Sequence, residues 1–421
     1  MTTGASGRPR LTAVARVLAG LAVVLIIAAC SSGGTSSNNG ASGSAAGGNA
    51  AGQASAISIG VVCTCSGPLA SEGTAGPKVY QAWADTVNAA GGINGHKLNV
   101  IVDNDNGVAA TSLEDAKQLV SSQHVIALVD MTNLDETWAA FAKSANVPVI
   151  GINTSEEPMY SNSEFYPQAQ TEDALFPSII AAAKTGGATN LGLLYCAEAV
   201  QCQEGIAPLK ETGQKMGLSV TYAAEISATA PNYTAQCVAA QQAHITALFV
   251  ADITAVVAKV AQDCSQQNYH PIYVVDGQVL SQAFATTPGL EEDLIGPSPN
   301  LPFYADTPAI TAMNAAIDKY YPGLRQDTAN FNEYSMGAWP SGLLFQAAAK
   351  AGGLGANGSA PTSAQLITGL DSIKGDTLGG LAPSLSFTPG QAHPVDCWFT
   401  FALKNGTFSL PNGTNPVCET A

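Results

Sequence analysis

Basic residues are scarce in this chain: 16 Lys and Arg stand against 32 Asp and Glu in 421 residues, a formal net charge of −16. No basic stripe exists for a nucleic acid to lie along, which removes that partner class while saying little about a small ligand. Histidine is rarer still. The five, His96, His124, His244, His270 and His393, include no HExxH and no pair spaced to share a helix face, so no metal site is expected. There is no G-x-S-x-G elbow, no P-loop and no G-x-G-x-x-G after a strand. With no nucleophile–base pair, metal set or cofactor motif, the chain is not expected to be an enzyme or to carry a cofactor. Nothing repeats, which disfavours an adhesin or cell-wall array. His96, His124 and His244 are expected in structural or surface roles, and Tyr320, Tyr321 and Trp339 in core or hinge packing.

What is present starts with a sorting signal. Arg8, Arg10 and Arg16 precede an apolar run from Val17 to Ala29, too short for a membrane span, which ends in Ile27-Ala28-Ala29-Cys30 and turns polar at once. Residues 1–29 therefore read as a signal peptide. The four residues at its end resemble a bacterial lipobox, which makes Cys30 the lipidated first residue of the mature chain; a plain secretory signal is the alternative. Removing the leader's three Arg takes the net charge from −16 to −19. Residues 30–55 are Ser, Gly, Asn and Ala with no aliphatic periodicity, the composition of a disordered tether.

Nine cysteines less Cys30 leave eight, and an even number in an exported chain points to disulfides. The spacing favours Cys196 with Cys202 in one loop, Cys397 with Cys418 in the C-terminal segment, and Cys237 with Cys264 on successive helices. Cys63 and Cys65 are left either to bond each other or to take distant partners. No second CxC or His pair accompanies them to make a metal clip.

The 365 or so residues after the tether exceed one ordinary domain. Short apolar runs alternate with amphipathic stretches from Ile57 to Gly151, and the pattern restarts after Thr171. Such alternation predicts two α/β sets, each a mostly parallel sheet flanked by helices. Asn405-Gly406 predicts a two-residue hairpin near the end. Ligands of open α/β sheets sit at the carboxyl ends of strands. That directs attention to residues 63–73, 130–135 and 153–158 in the first set, and to 195–203, 252–254 and 276–279 in the second.

The stretches "IGVVCTCSGPLASEG", "NAAGGINGHKLNVIVDND" and "VPVIGINTS" closely resemble the type I periplasmic substrate-binding proteins of branched-chain amino-acid ABC transporters. Ser66-Gly67-Pro68-Leu69 with Gly73, and the turn from Asn88 to Leu98, carry the likeness, which runs through the chain after residue 56. It implies a Venus-flytrap: lobe 1 over 56–173, lobe 2 over 174–299, a return to lobe 1 over 300–385, and a final hairpin, 386–421, in lobe 2. The implied role is an extracytoplasmic, lipid-anchored monomer that captures an amino acid or similar small polar solute and delivers it to an ABC permease. A sensor passing closure to a signalling partner is the alternative.

By the same resemblance, Thr132, Asn133, Asn153, Thr154 and Ser155 would hold an α-carboxylate, unless they only cap the following helices. Asp276 or Asp252 would meet the ammonium. Tyr195 and Gln203 border the remaining second-lobe loop, and Ser71 and Glu72 are expected to face the ligand. Two positions depart from the family pattern: Glu72 stands where an aromatic is frequent, and Asp130 where glycine is common. Extra carboxylates would repel a simple carboxylate ligand unless turned away or neutralised, which points to a cleft suited to a cationic or polyhydroxy ligand.

Overall fold

The computed structural model describes residues 55–67, 70, 74–198 and 200–419. Cys30, Ser71 and Glu72 lie outside the described residues. The first sheet is built from β1 (Ile57–Cys63), β2 (Leu98–Asn104), β3 (Leu128–Met131), β4 (Val149–Gly151) and β5 (Phe165–Tyr166). Its order is β2-β1-β3-β4-β5 and every pairing is parallel. The connections are right for such a sheet: α1 (Gly76–Ala89), α2 (Ala109–Ser121), α3 (Glu136–Ala145) and a single turn, α4 (Pro158–Ser161). Val79, Trp83 and Val87 of α1 are buried along one face, as their i, i+4 spacing demands.

The second sheet takes β6 (Asn190–Cys196), β7 (Ser219–Ile226), β8 (Ala247–Ala251), β9 (Ile272–Val274) and β10 (Asp293–Ser298), all parallel, in the order β10-β9-β8-β6-β7. Around it lie α5 (Leu175–Thr185), α6 (Val200–Glu204), α7 (Ile206–Met216), α8 (Thr234–Gln242) and α9 (Thr254–Ser265). The chain then supplies α10 (Pro308–Tyr320), α11 (Glu333–Met336), α12 (Ala338–Ala351) and α13 (Ser363–Asp371), followed by the small pair β11 (Lys374–Asp376) and β12 (Leu385–Ser386). Helices α10 and α12 pack on α1 of the first sheet. Last, β13 (Cys397–Lys404) pairs antiparallel with β10, β14 (Thr407–Ser409) folds back on it through Asn405-Gly406, and β15 (Val417–Cys418) pairs with its start. Both turn residues have positive φ, 49° and 72°, the backbone this two-residue turn needs.

The chain thus passes between the sheets three times, and the three passages are bonded side by side. Thr171 N–H donates to Val395 O and the Val395 N–H donates to Thr171 Oγ1, while the Asn300 amide donates to Gln168 O. One mainly apolar core cluster runs through both halves, from Ile59 and Trp83 to Val250 and Phe401.

Four disulfides close, in the pairs the spacing favours: Cys196–Cys202, Cys237–Cys264 and Cys397–Cys418, with Cys63 bonded to Cys65 across one residue, their Cα atoms 5.3 Å apart. Among the described residues no helix is long and apolar enough to cross a membrane. His96 is buried, its ring nitrogens within hydrogen-bond distance of Ser55 O and Gly355 O, and ties the start of β1 to the loop after α12.

Packing of α12 on α1 depends on Gly342: a Cβ there would stand 2.3 Å from the Trp83 ring, which is itself fully buried. Gly342→Ala is therefore expected to destabilise the fold by roughly 1–3 kcal/mol, since neither helix has room to retreat. A lowered urea midpoint with an unchanged slope checks this.

Candidate ligand-binding cleft

The loops that leave the carboxyl ends of both sheets meet around a cavity of about 280 Å³, next to a wider one of about 720 Å³. The smaller is lined from the first half by Asn133, Asn153, Ser155 and Glu156, and from the second by Cys196, Glu198, Cys202, Asp252, Asp276 and Gln278. Glu172, on the first passage between sheets, completes the polar lining, and Leu175, Phe249, Ile253, Val279 and Tyr334 supply apolar wall.

Local structure explains how each side is held. On the first side, Ile152 and Asn153 N–H both donate to Asp130 O, which folds the loop after β4 onto the loop after β3. The Asn153 amide donates to Thr132 O at 2.6 Å and to Asn133 Oδ1 at 2.8 Å, and Asn153 Oδ1 accepts from Ser155 N–H at 3.1 Å. On the second side, Asp276 caps the short turn after β9 by accepting from Gln278 N–H at 3.0 Å. That turn lies directly on β10, because Gly277 has no Cβ; one would stand 2.4 Å from Pro297 O. Asp252 Oδ1 accepts from Ile253 N–H at 2.8 Å at the start of α9. The Gln278 amide then crosses the cleft and donates to Ser155 Oγ at 2.9 Å, joining the two sides.

Of the residues expected to hold a ligand, Asn133, Asn153, Ser155, Asp252 and Asp276 share this one cavity. Thr154 borders the small recess beside it with Gln170, Glu172 and Asp276. Three others are placed elsewhere. Thr132 is buried with its hydroxyl donating to Asp105 Oδ2 at 2.5 Å, and Thr64 donates to Asp105 Oδ1 at 2.9 Å. Buried Asp105, 27 residues before Thr132, thus claims the hydroxyl expected to face a ligand. Tyr195 packs with Leu191 and Leu193 in the cluster around α5 and α7, on the opposite face of β6 from Leu194, because strand side chains alternate. Gln203 is exposed on α6 and outside the lining, whereas its neighbour Cys202 is in it.

Asp130, expected as an extra carboxylate beside the ligand, is instead fully buried below the cleft with Asp135. Burial first, and then Asp135's charge, pushes Asp130 well above the usual carboxylate range; burial does the same to Asp135. The two carboxyls hydrogen-bond each other, which requires that one of them hold a proton. A raised folded-state pKa gives stability that is full below the unfolded value and is lost as pH rises through the folded one. Asp135→Asn, which replaces the shared proton with a permanent N–H donor, is expected to stabilise the protein by about 1–3 kcal/mol at pH 8. Its gain over the parent should shrink towards pH 4, which paired thermal melts read directly.

The residues not foreseen are Glu156, Glu172, Glu198 and Gln278. Burial, then Glu136, pushes Glu156 up to about 7. Burial also pushes Asp276 up to about 6 against its hydrogen bonds from Gln278, and Asp252 up to about 6 with Glu198 adding to the rise. Glu172 is driven well up by burial and then by Asp276 and Glu156. Burial pushes Glu198 up too, but hydrogen bonds from the Ser227 hydroxyl and Ala228 N–H outweigh it and hold Glu198 below its usual value. Among the described residues no Lys, Arg or His lines either cavity, and no three Asp, Glu, His or Cys converge as metal ligands would.

The fold recurs in solved structures. The branched-chain amino acid transporter substrate-binding protein LivJ of Streptococcus pneumoniae, in complex with isoleucine, matches over 84% of this chain and 98% of its own, at 19% identity and TM-score 0.68. A branched-chain amino acid ABC transporter protein of Thermus thermophilus with bound valine covers 87% and 97% at 14% identity and TM-score 0.75. A fatty acid ABC transporter substrate-binding protein of Thermomonospora curvata covers 85% and 91% at 17% identity and TM-score 0.69. No curated sequence matches the chain. At these identities the likeness shows the two-lobed type I fold. The family model for periplasmic binding proteins matches residues 56–407, and the chain belongs to that family.

Proposed function

We propose that this protein is an extracytoplasmic solute-binding protein that captures one small polar solute between its lobes and delivers it to an ABC permease, held at the membrane by a lipid on Cys30. The carrying observation is the cavity itself: loops from the carboxyl ends of both sheets line it, and the Gln278–Ser155 hydrogen bond joins them across it. A solute touching both sides binds the closed arrangement better than an open one, and so shifts the population towards closure. The passages at 167–174, 299–307 and around Val395 would be the hinge, dividing lobe 1 (56–173 with 300–385) from lobe 2 (174–299 with 386–421). Family membership and the bound amino acids of two structural neighbours support solute capture.

The test is retention. The purified protein, exposed to a metabolite extract and examined by native mass spectrometry, is expected to keep one small solute per chain; a spectrum of bare protein under all extracts overturns the reading. For the anchor, labelled palmitate should enter the full-length protein in a bacterial host and fail to enter Cys30→Ala; equal labelling of both would sink the assignment of Cys30.

A further inference from the structure

Resting on that reading of the cleft, we infer that the solute is a small organic cation, an aliphatic amine or guanidine that carries no carboxylate. Three independent features converge on this.

The first is the charge of the walls. Five carboxylates face the smaller cavity, Glu156, Glu172, Glu198, Asp252 and Asp276, and three more glutamates, Glu136, Glu157 and Glu204, line the wider one beside it. No cationic side chain lines either among the described residues. Asp252 lines the cavity, and its Oδ2 is buried without a donor from the protein.

The second is the state of the groups that would hold an anion. Thr132 spends its hydroxyl on Asp105 and its N–H on Asp130 Oδ1. The Asn153 amide is spent on Thr132 O and Asn133 Oδ1, and Ser155 N–H on Asn153 Oδ1. The one side-chain amide reaching across from the second side, Gln278, is taken by Ser155 Oγ. A carboxylate entering here would meet negative walls and, apart from the Ser155 O–H and the Asn133 amide, donors already committed.

The third is shape and polarity. Among the described residues no three of the carboxylates converge as metal ligands would, and Leu175, Phe249, Ile253, Val279 and Tyr334 share the lining of the 280 Å³ cavity with them. A metal ion would use one spot and leave the rest; a chain with a cationic end and an aliphatic body uses both kinds of wall. The volume lies at the lower end for small-molecule sites, in keeping with a solute of a few heavy atoms rather than a peptide.

Calorimetry at pH 8 on the purified protein, with matched probes, decides it: agmatine against arginine, cadaverine against lysine, and leucine and calcium chloride alone. At least one decarboxylated probe is expected to bind ten times or more tighter than its parent, with no heat from leucine or calcium. Leucine or calcium binding best, or the amino acid of each pair binding as tightly as its amine, overturns the inference. Asp252→Asn should weaken the amine at least tenfold, while the wild-type comparison stands whether or not that variant folds. A neutral or anionic solute retained from the metabolite extract overturns the cation assignment and leaves solute capture standing; no retained solute and no heat from any probe overturns both.

Discussion

Replacing Asp252 and Asp276 together by asparagine is expected to weaken binding of a small organic cation at least a hundredfold, about 2.7 kcal/mol. A unit charge 4 Å from an ammonium contributes roughly 4 kcal/mol at the dielectric typical of protein sites. Removing one partner of a buried, hydrogen-bonded charge pair costs about 2–5 kcal/mol, so two such losses reach the stated floor without adding in full. Asparagine is the informative choice because each Oδ1 keeps its structural bond, Asp276 from Gln278 N–H and Asp252 from Ile253 N–H. The turn on β10 and the start of α9 should therefore stand. The unliganded double variant should melt at a higher temperature than the parent at pH 8, since two half-buried charges are gone. Calorimetry and a melt on the same sample read both effects; a fall in stability with affinity intact would show that these aspartates are scaffold only.

The second large effect is on pH. In the free protein Asp252 and Asp276 lie near 6 and Glu156 near 7, each raised mainly by burial, and Glu172 is raised further by Asp276 and Glu156. Their contribution to stability is full below the unfolded carboxylate values and is lost as pH climbs through 6 and 7. The unliganded protein is thus expected to be more stable at pH 5 than at pH 8. A cation requires the opposite state, so binding must expel protons that the site holds at low pH. Affinity for the amine should be at least tenfold weaker at pH 5 than at pH 8, and the calorimetric heat should vary with buffer ionisation enthalpy as protons are released. The buried Asp130–Asp135 pair shifts stability in the same direction. Affinity, not melting temperature, therefore isolates the cleft, and pH-independent affinity would show that the wall carboxylates are not the partners.

Much of this architecture is legible in the residues, for identifiable reasons. Alternation of short apolar runs with amphipathic stretches finds β1 to β4 and β6 to β9, because parallel strands covered on both faces are nearly all apolar while their helices keep a polar side. It misses β5, only two residues long, and β10, which no helix pattern precedes. The strand-end rule then marks the loops holding Asn133, Asn153, Ser155, Asp252 and Asp276. What fails is the direction a side chain takes within a correctly placed loop. Tyr195 turns away because strand alternation sends it to the face opposite Leu194, and strand phase is not visible in a loop boundary. Thr132 is lost to Asp105, a tertiary partner that no local pattern announces. Glu156, Glu198 and Gln278 lie inside the marked loops, yet a search for anion donors passes over carboxylates there. Glu172 sits on a passage between sheets with only a 3₁₀ turn to mark it, so no periodicity points to it.

Cys63-Thr64-Cys65 shows the same division. Cysteine number and export predict bonding, and the structure closes the pair into a ring at the end of β1, with the Thr64 hydroxyl between them held by Asp105. The second-side loop carries its own bridge, Cys196–Cys202, on the cavity wall. Both sides of the cleft are thus stiffened, and the proposed closure would fall to the passages behind them.

Hydrogen–deuterium exchange with and without the retained solute tests two-sided capture most directly, because it reports the loops on both sheets in one experiment. Protection is expected to rise together at 153–157, on the first side, and at 252–254 and 276–279, on the second. Protection confined to one side, or appearing only away from these segments, would contradict a solute held between the lobes.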